Sequence, residues 1–94
     1  MVNTIRMFIR HEVADYALWK KHYDDFSNYQ KTHGVINEFV YQSTDNPNSI
    51  TVIHDFNNIE EAKSFAISEE FKSFIFRSGV KGVYQISYTR ESHQ

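Results

Sequence analysis

Five histidines and a stripe of aromatic side chains are the parts of this 94-residue chain with chemistry to offer. His11 closes an alternating segment and stands just before a helix start at Asp15. An imidazole titrates near neutral pH and suits proton transfer, and side chains at strand ends often line cavities. His11 is therefore the candidate catalytic residue, although a hydrogen-bonded residue in the strand–helix connection is the plainer reading and stands ahead of it. His54 shares the parity of Ile50, Val52 and Phe56, so it lies on an otherwise apolar strand face. A satisfied core histidine is the ordinary expectation there, and a cavity wall is the functional one. Trp19 sits on a helical stripe with Tyr16, Tyr23 and Phe26 and could flank a flat aromatic ligand, though such stripes are more often core. Tyr41 could bring a phenol to the same pocket or lie in a dimer interface. Trp19, Tyr41 and His54 are thus the candidate substrate-binding residues.

Other chemistry finds no support. His22 and His33 share a helix face but lie about 16 Å apart along its axis, and no His-x-His or His-x-x-x-His pair occurs. There is no cysteine, which removes thiolate ligands, a thiol nucleophile and disulfides. Neither a metal nor a cofactor is expected. The adjacent carboxylates Asp24-Asp25, Glu60-Glu61 and Glu69-Glu70 lie on helices, where neighbours point about 100° apart, so they do not form acid/base pairs. Gly34, Gly79 and Gly82 are the only glycines, too few and too scattered for a phosphate loop.

The composition bounds the partners. Twelve acidic and ten basic residues give a net charge of −2 with no basic stripe, so nucleic acid is not an expected partner. No apolar run approaches the ~20 residues of a membrane span. The first thirteen residues alternate and carry charge, so they read as a strand and not a leader. Lack of cysteine fits a cytoplasmic location. Hydrophobic residues make up 40%, with eight Phe, six Tyr and one Trp, enough for the packed core of a single domain over residues 1–94.

The elements that must position these side chains follow from periodicity and caps. Thr4 to Val13 alternates as a first strand. Asp15 caps a helix predicted from Tyr16 to His33, which Gly34 stops. A strand over Val35–Ser43, a turn cluster at Thr44–Asn48 and a strand over Ile50–Phe56 make a hairpin. Asn58 and Glu61 form a capping pair for the second helix. Ser68 looks like a fresh N-cap, which implies a break in that helix. Gly79 ends it, and Val83–Arg90 is the last strand. The order β-α-β-β-α-β predicts a ferredoxin-like α+β fold, with both helices on one face of a four-stranded antiparallel sheet. The other face is still bulky and apolar: Phe39 or Val40 in strand two, and Val83 or Tyr84 with Ile86 and Tyr88 in strand four. Such a face is unusual for a soluble monomer. A domain of this size also buries only roughly 60–65% of the surface of its unfolded chain. A homodimer joined through sheet faces is expected.

The segment Ile9-Arg-His-Glu-Val-Ala-Asp-Tyr16 followed by Trp19-Lys20 resembles the opening of the dimeric α+β barrel proteins grouped with the antibiotic biosynthesis monooxygenases. The resemblance continues through Asp45-Asn46-Pro47-Asn48, Glu61-Ala62 with Phe65 and Ser68, and Gly79-Val80-Lys81-Gly82, and covers nearly the whole chain. It points to the small cyclase-like, candidate-monooxygenase branch. It implies a ferredoxin-like protomer, a dimeric barrel, and a cavity between sheet and helices. Monooxygenases of this superfamily oxidise polycyclic aromatic substrates without metal or flavin. The same fold hosts haem-degrading enzymes, which rely on a helical His in the second half of the fold, and Asn58 to Ser78 contains none. One departure is Gln30, where the branch is expected to carry Arg. Three functions compete on this footing: a cofactor-independent monooxygenase or cyclase-like enzyme for a small aromatic or polyketide-like molecule; a non-catalytic binder of a small hydrophobic ligand; and a structural or interaction dimer with a filled interior.

Overall fold

The alternation of the first segment becomes a strand, β1 (Ile5–Val13), in which every odd residue is buried. The computed structural model describes residues 4–92, so residues 1–3 and 93–94 of the expected single domain lie outside the described residues. After β1 come α1 (Tyr16–Asp25), α2 (Ser27–Thr32), β2 (Asn37–Gln42), β3 (Ser49–Phe56), α3 (Ile59–Ile67), α4 (Glu69–Arg77) and β4 (Val80–Arg90). The strands form one sheet in the order β2-β3-β1-β4, and each neighbouring pair is antiparallel. This is the ferredoxin-like α+β arrangement, with each helical limb built in two pieces.

The expected caps are made. Asp15 Oδ1 accepts the Ala17 N–H at 3.0 Å. Asn58 Oδ1 accepts the Glu61 N–H at 2.8 Å while its amide donates to Glu61 Oε1 at 3.1 Å. Ser68 Oγ accepts the Phe71 N–H at 3.1 Å, which explains the division between α3 and α4. The division between α1 and α2 was not expected. No Pro or Gly marks it, and the Phe26 N–H still reaches the His22 carbonyl at 3.1 Å. Phe26 stands at the junction with its ring stacked on Tyr29 and Phe74, at centroid distances of 5.1 and 5.0 Å. Tertiary packing thus sets the bend. β4 also begins earlier than expected, because Gly82, at a φ of +69°, stays within the strand.

The helices cover one sheet face. Met7, Ile9, Val52 and Phe56 pack in a single core with Trp19, Phe65, Phe71 and Phe74. The register places the residues of this face in rows: Glu38, His54, Met7 and Tyr88 in one, and Val40, Val52, Ile9 and Ile86 in the next. The opposite face carries the rows Phe39, Ile53, Phe8, Ser87 and Tyr41, Thr51, Arg10, Gln85.

Candidate active site

The buried polar residues Asp55 and Ser78 have side-chain hydrogen bonds; the others, His11, Gln30 and His54, gather in one part of the core. His11 projects from the end of β1 onto the helix-covered face, opposite Ile50. There the β1–β4 ladder is interrupted: Arg10 pairs with Gln85 but Glu12 pairs with Lys81, so β4 bulges past His11. Bulges are a common device for re-aiming a side chain beside a functional site. His54 enters the same interior from β3, Trp19 and Tyr23 from α1, and Gln30 from α2; all are buried. His11 and Trp19 are ring neighbours at 5.5 Å, and Trp19 stacks on Tyr23 at 4.9 Å.

His11, Tyr23, Gln30 and His54 line a small interior cavity of about 10 Å³ together with Val52 and Phe74, room for about one water molecule. Three of its lining residues carry buried polar atoms without a protein partner: both ring nitrogens of His11, both amide atoms of Gln30, and His54 Nδ1; Trp19 Nε1, also unpartnered, belongs to a residue outside the lining, and the accessible wall of the cavity is apolar. Buried polar groups are nearly always hydrogen-bonded, because an unmet donor or acceptor costs about 1–3 kcal/mol. Three lining side chains thus hold unmet polar atoms behind an apolar wall, and a polar ligand would reach them only if that wall opened.

One hydrogen-bond chain leads out of this site. His54 Nε2 lies 3.0 Å from the Tyr23 hydroxyl. That hydroxyl donates to Glu38 Oε1 on the exposed edge strand β2. Burial, and then the hydrogen bond to Glu38, push the Tyr23 phenol well above its usual range, so it keeps its proton. Burial lowers the pKa of His11 to about 4. Burial also lowers that of His54 to about 4, against a weaker opposing pull from Asp55. Both imidazoles are neutral near pH 7.

Three of the four residues expected at the site therefore converge: His11, Trp19 and His54. Tyr41 does not. The β2 register turns it to the opposite face, where it is 55% exposed. Gln30, Tyr23 and Glu38 complete the arrangement. Surface clefts of larger volume are poorer candidates. The cleft between α2 and α3, about 340 Å³, is lined by His33, Glu60 and Glu61 among others. There His33 Nδ1 is 2.9 Å from the Tyr29 carbonyl oxygen and Glu61 serves the Asn58 cap, so these groups already have partners.

A conserved protein from Methanosarcina mazei superposes with a TM-score of 0.79 at 17% identity, over 97% of this chain and 95% of that one. A candidate antibiotic biosynthesis monooxygenase from Bordetella bronchiseptica reaches 0.84 at 12% identity, over 97% and 99%. A mutant of SnoaB, a cofactor-independent oxygenase from Streptomyces nogalater, reaches 0.78 at 10% identity, over 97% and 95%. The chain has the antibiotic biosynthesis monooxygenase-like fold. No family model matches its sequence, and no curated protein matches it significantly. Identities this low carry the fold alone, and the site must be read from this chain's own residues. In this monooxygenase-like fold the cavity lies between the helical layer and the sheet. The position where the family resemblance predicts Arg is held by the uncharged, fully buried Gln30. None of the described helices is long and apolar enough to cross a membrane.

Proposed function

We propose that this protein is a homodimeric, cofactor-independent monooxygenase or cyclase-like enzyme acting on a small aromatic or polyketide-like molecule held between helices and sheet. The observation that carries this reading is the set of unpartnered polar atoms on His11, Gln30 and His54, three residues that line the interior cavity, with Trp19 packed beside His11. A flat aromatic ligand with hydroxyl and carbonyl groups would meet these atoms and lie against Trp19 and Tyr23. A neutral histidine accepts the phenolic or enolic proton. The resulting electron-rich anion reduces dioxygen. One oxygen atom enters the ring as a carbonyl, and the other leaves as water with the hydrogen of the oxidised carbon and the proton that the histidine returns. The substrate thus supplies its own electrons. A cavity of about 10 Å³ is far below the ~300–1,000 Å³ of a ligand pocket, so entry requires α4, which brings Phe71, Phe74 and Ile75 to the cavity, to move off the sheet.

That same small volume favours a second reading, in which the interior holds a single water molecule and the protein is an interaction dimer. Oxygen uptake with quinol-type substrates under metal chelation, followed together with the fluorescence of Trp19, separates the two. Trp19 is the only tryptophan, so a bound aromatic ligand is read directly. The enzyme reading expects uptake and quenching, with uptake reduced about 100-fold or more in His54→Leu. Absence of both signals across such substrates, combined with a filled interior, favours the second reading.

A further inference from the structure

The chain from Glu38 through Tyr23 to His54 has a direction that hydrogen-bond counting settles. A carboxylate can only accept, and a phenol has one proton. Tyr23 gives that proton to Glu38. Its oxygen can then act only as acceptor toward His54 Nε2, 3.0 Å away. His54 Nε2 must therefore carry the ring proton, and in a neutral imidazole the other nitrogen is then a bare lone pair. That other nitrogen is Nδ1, which is buried without a protein partner, and His54 is a cavity-lining residue. The register makes this arrangement possible, because Glu38 stands directly opposite His54 across the β2–β3 ladder.

We infer that Glu38 and Tyr23 are positioning residues that fix His54 as its Nε2–H tautomer, present Nδ1 as the proton acceptor of the cavity, and connect it to solvent. The ligand chemistry follows: the site selects a molecule offering a hydroxyl donor to Nδ1, as a phenol or enol does. When the ligand oxygen gives its proton to Nδ1, the Nε2 proton passes to the Tyr23 oxygen. The Tyr23 proton passes to Glu38, and Glu38 releases it to water at the exposed edge of the sheet. Return of a proton by the same route to an oxygenated anion restores the starting tautomer. His11 is not held this way. Both its nitrogens lack partners, so nothing on the protein chooses its tautomer, and the acceptor role passes to His54. The tautomer and the solvent connection stand by themselves; only the substrate deprotonation rests on the oxygenase reading.

Nitrogen-15 NMR of the histidine rings tests this on the ligand-free protein. His54 in the wild type is expected as one tautomer, protonated at Nε2, with its N–H exchanging rapidly with water. In Glu38→Gln, a change at an exposed position, that exchange slows by about tenfold or more, and the tautomers mix because an amide can donate as well as accept. Tyr23→Phe is expected to slow exchange in the same way. If Tyr23→Phe fails to fold, Glu38→Gln decides alone. A wild-type His54 protonated at Nδ1, or an exchange rate equal in wild type and Glu38→Gln, overturns the inference. Absence of oxygen uptake together with the expected tautomer and exchange would remove the oxygenase reading and leave the relay intact.

Discussion

At His11 and His54, burial works against charge, and this has a direct consequence for stability. The unfolded chain takes up protons on these histidines near pH 6.5, whereas the folded chain does so only near pH 4. Between those values the unfolded state binds more protons, so stability falls as pH drops through that window. Each histidine accounts for about 3 kcal/mol at most, and because they share one cavity the two effects do not simply add. Asp55 does not confuse the measurement. The Arg6 guanidinium, with contacts of 2.8 and 3.0 Å, holds its carboxyl below the usual value, so its contribution is lost only at still lower pH. Urea midpoints measured from pH 7 to 4.5 should fall steeply in the wild type and less steeply in His11→Leu, which removes a buried imidazole with no hydrogen-bond partner. Equal slopes in the two proteins would refute the assignment of His11 as a neutral buried group. Residue type and strand parity were enough to bring His11, His54 and Trp19 forward from the sequence. The face that Tyr41 takes stayed open between pocket and interface, because which parity of β2 faces the helices depends on its pairing with β3. Glu38 gave no local sign of its role for the same reason. Tyr23 was visible only as a member of an apolar stripe, and Gln30 only as a departure from an expected arginine.

At the scale of elements, local chemistry and tertiary packing divide the outcome between them. The caps at Asp15, Asn58 and Ser68 formed as their sequence patterns predict, and so did the hairpin turn ahead of β3. The bend at Phe26 has no comparable local signature, because it is set by what the segment packs against, and the bulge in β4 is marked only by Gly82, whose φ of +69° lies within it. The hairpin turn also does more than its turn residues announce. The Asn48 side-chain oxygen accepts the Tyr16 N–H at 2.9 Å, and its carbonyl accepts the Val13 N–H at 2.9 Å. One residue thereby ties the β2–β3 turn to the end of β1 and the first turn of α1, which hold His11 and Trp19. Asn48→Ala leaves a helix N-terminal N–H without its acceptor and should lower stability by about 1–2 kcal/mol. Asp45→Ala, at an exposed position of the same turn, should stay within about 0.5 kcal/mol of the wild type. Chemical denaturation of the two variants side by side checks this, and equal midpoints would show that the turn does not anchor the helix.

At the scale of the whole molecule, the helices leave one sheet face without cover, and that face is the ground for the proposed dimer. Phe39, Ile53 and Phe8 form a continuous apolar row across β2, β3 and β1, with Arg6 laid over the Phe39 ring at 5.5 Å. Tyr41 and Val83 extend the apolar surface on the outer strands, and Val83 is 91% exposed. Apolar area of this kind is stabilised by burial at about 25 cal/mol per Å², and a small domain has little other reserve. Polar residues lie on both sides of the row: Arg6 is paired with Asp55 on one side, Thr51, Arg10 and Gln85 stand on the other, and Ser87 ends the row at β4. This distribution suits a second copy of the same sheet, which would meet apolar row with apolar row and leave the Arg6–Asp55 ion pair beside it. In such a dimer Tyr41, which misses the interior site, would lie at the interface. Sedimentation at micromolar concentration should give twice the 11.2 kDa chain mass, and thermal midpoints should rise with protein concentration, as mass action requires of a dimer. Phe39→Asp places a charge in the middle of the apolar row and should give a folded protein of single-chain mass with a concentration-independent midpoint. A wild type that sediments as a single chain and melts independently of concentration would mean that this face is tolerated in water, and the dimer would have to be abandoned.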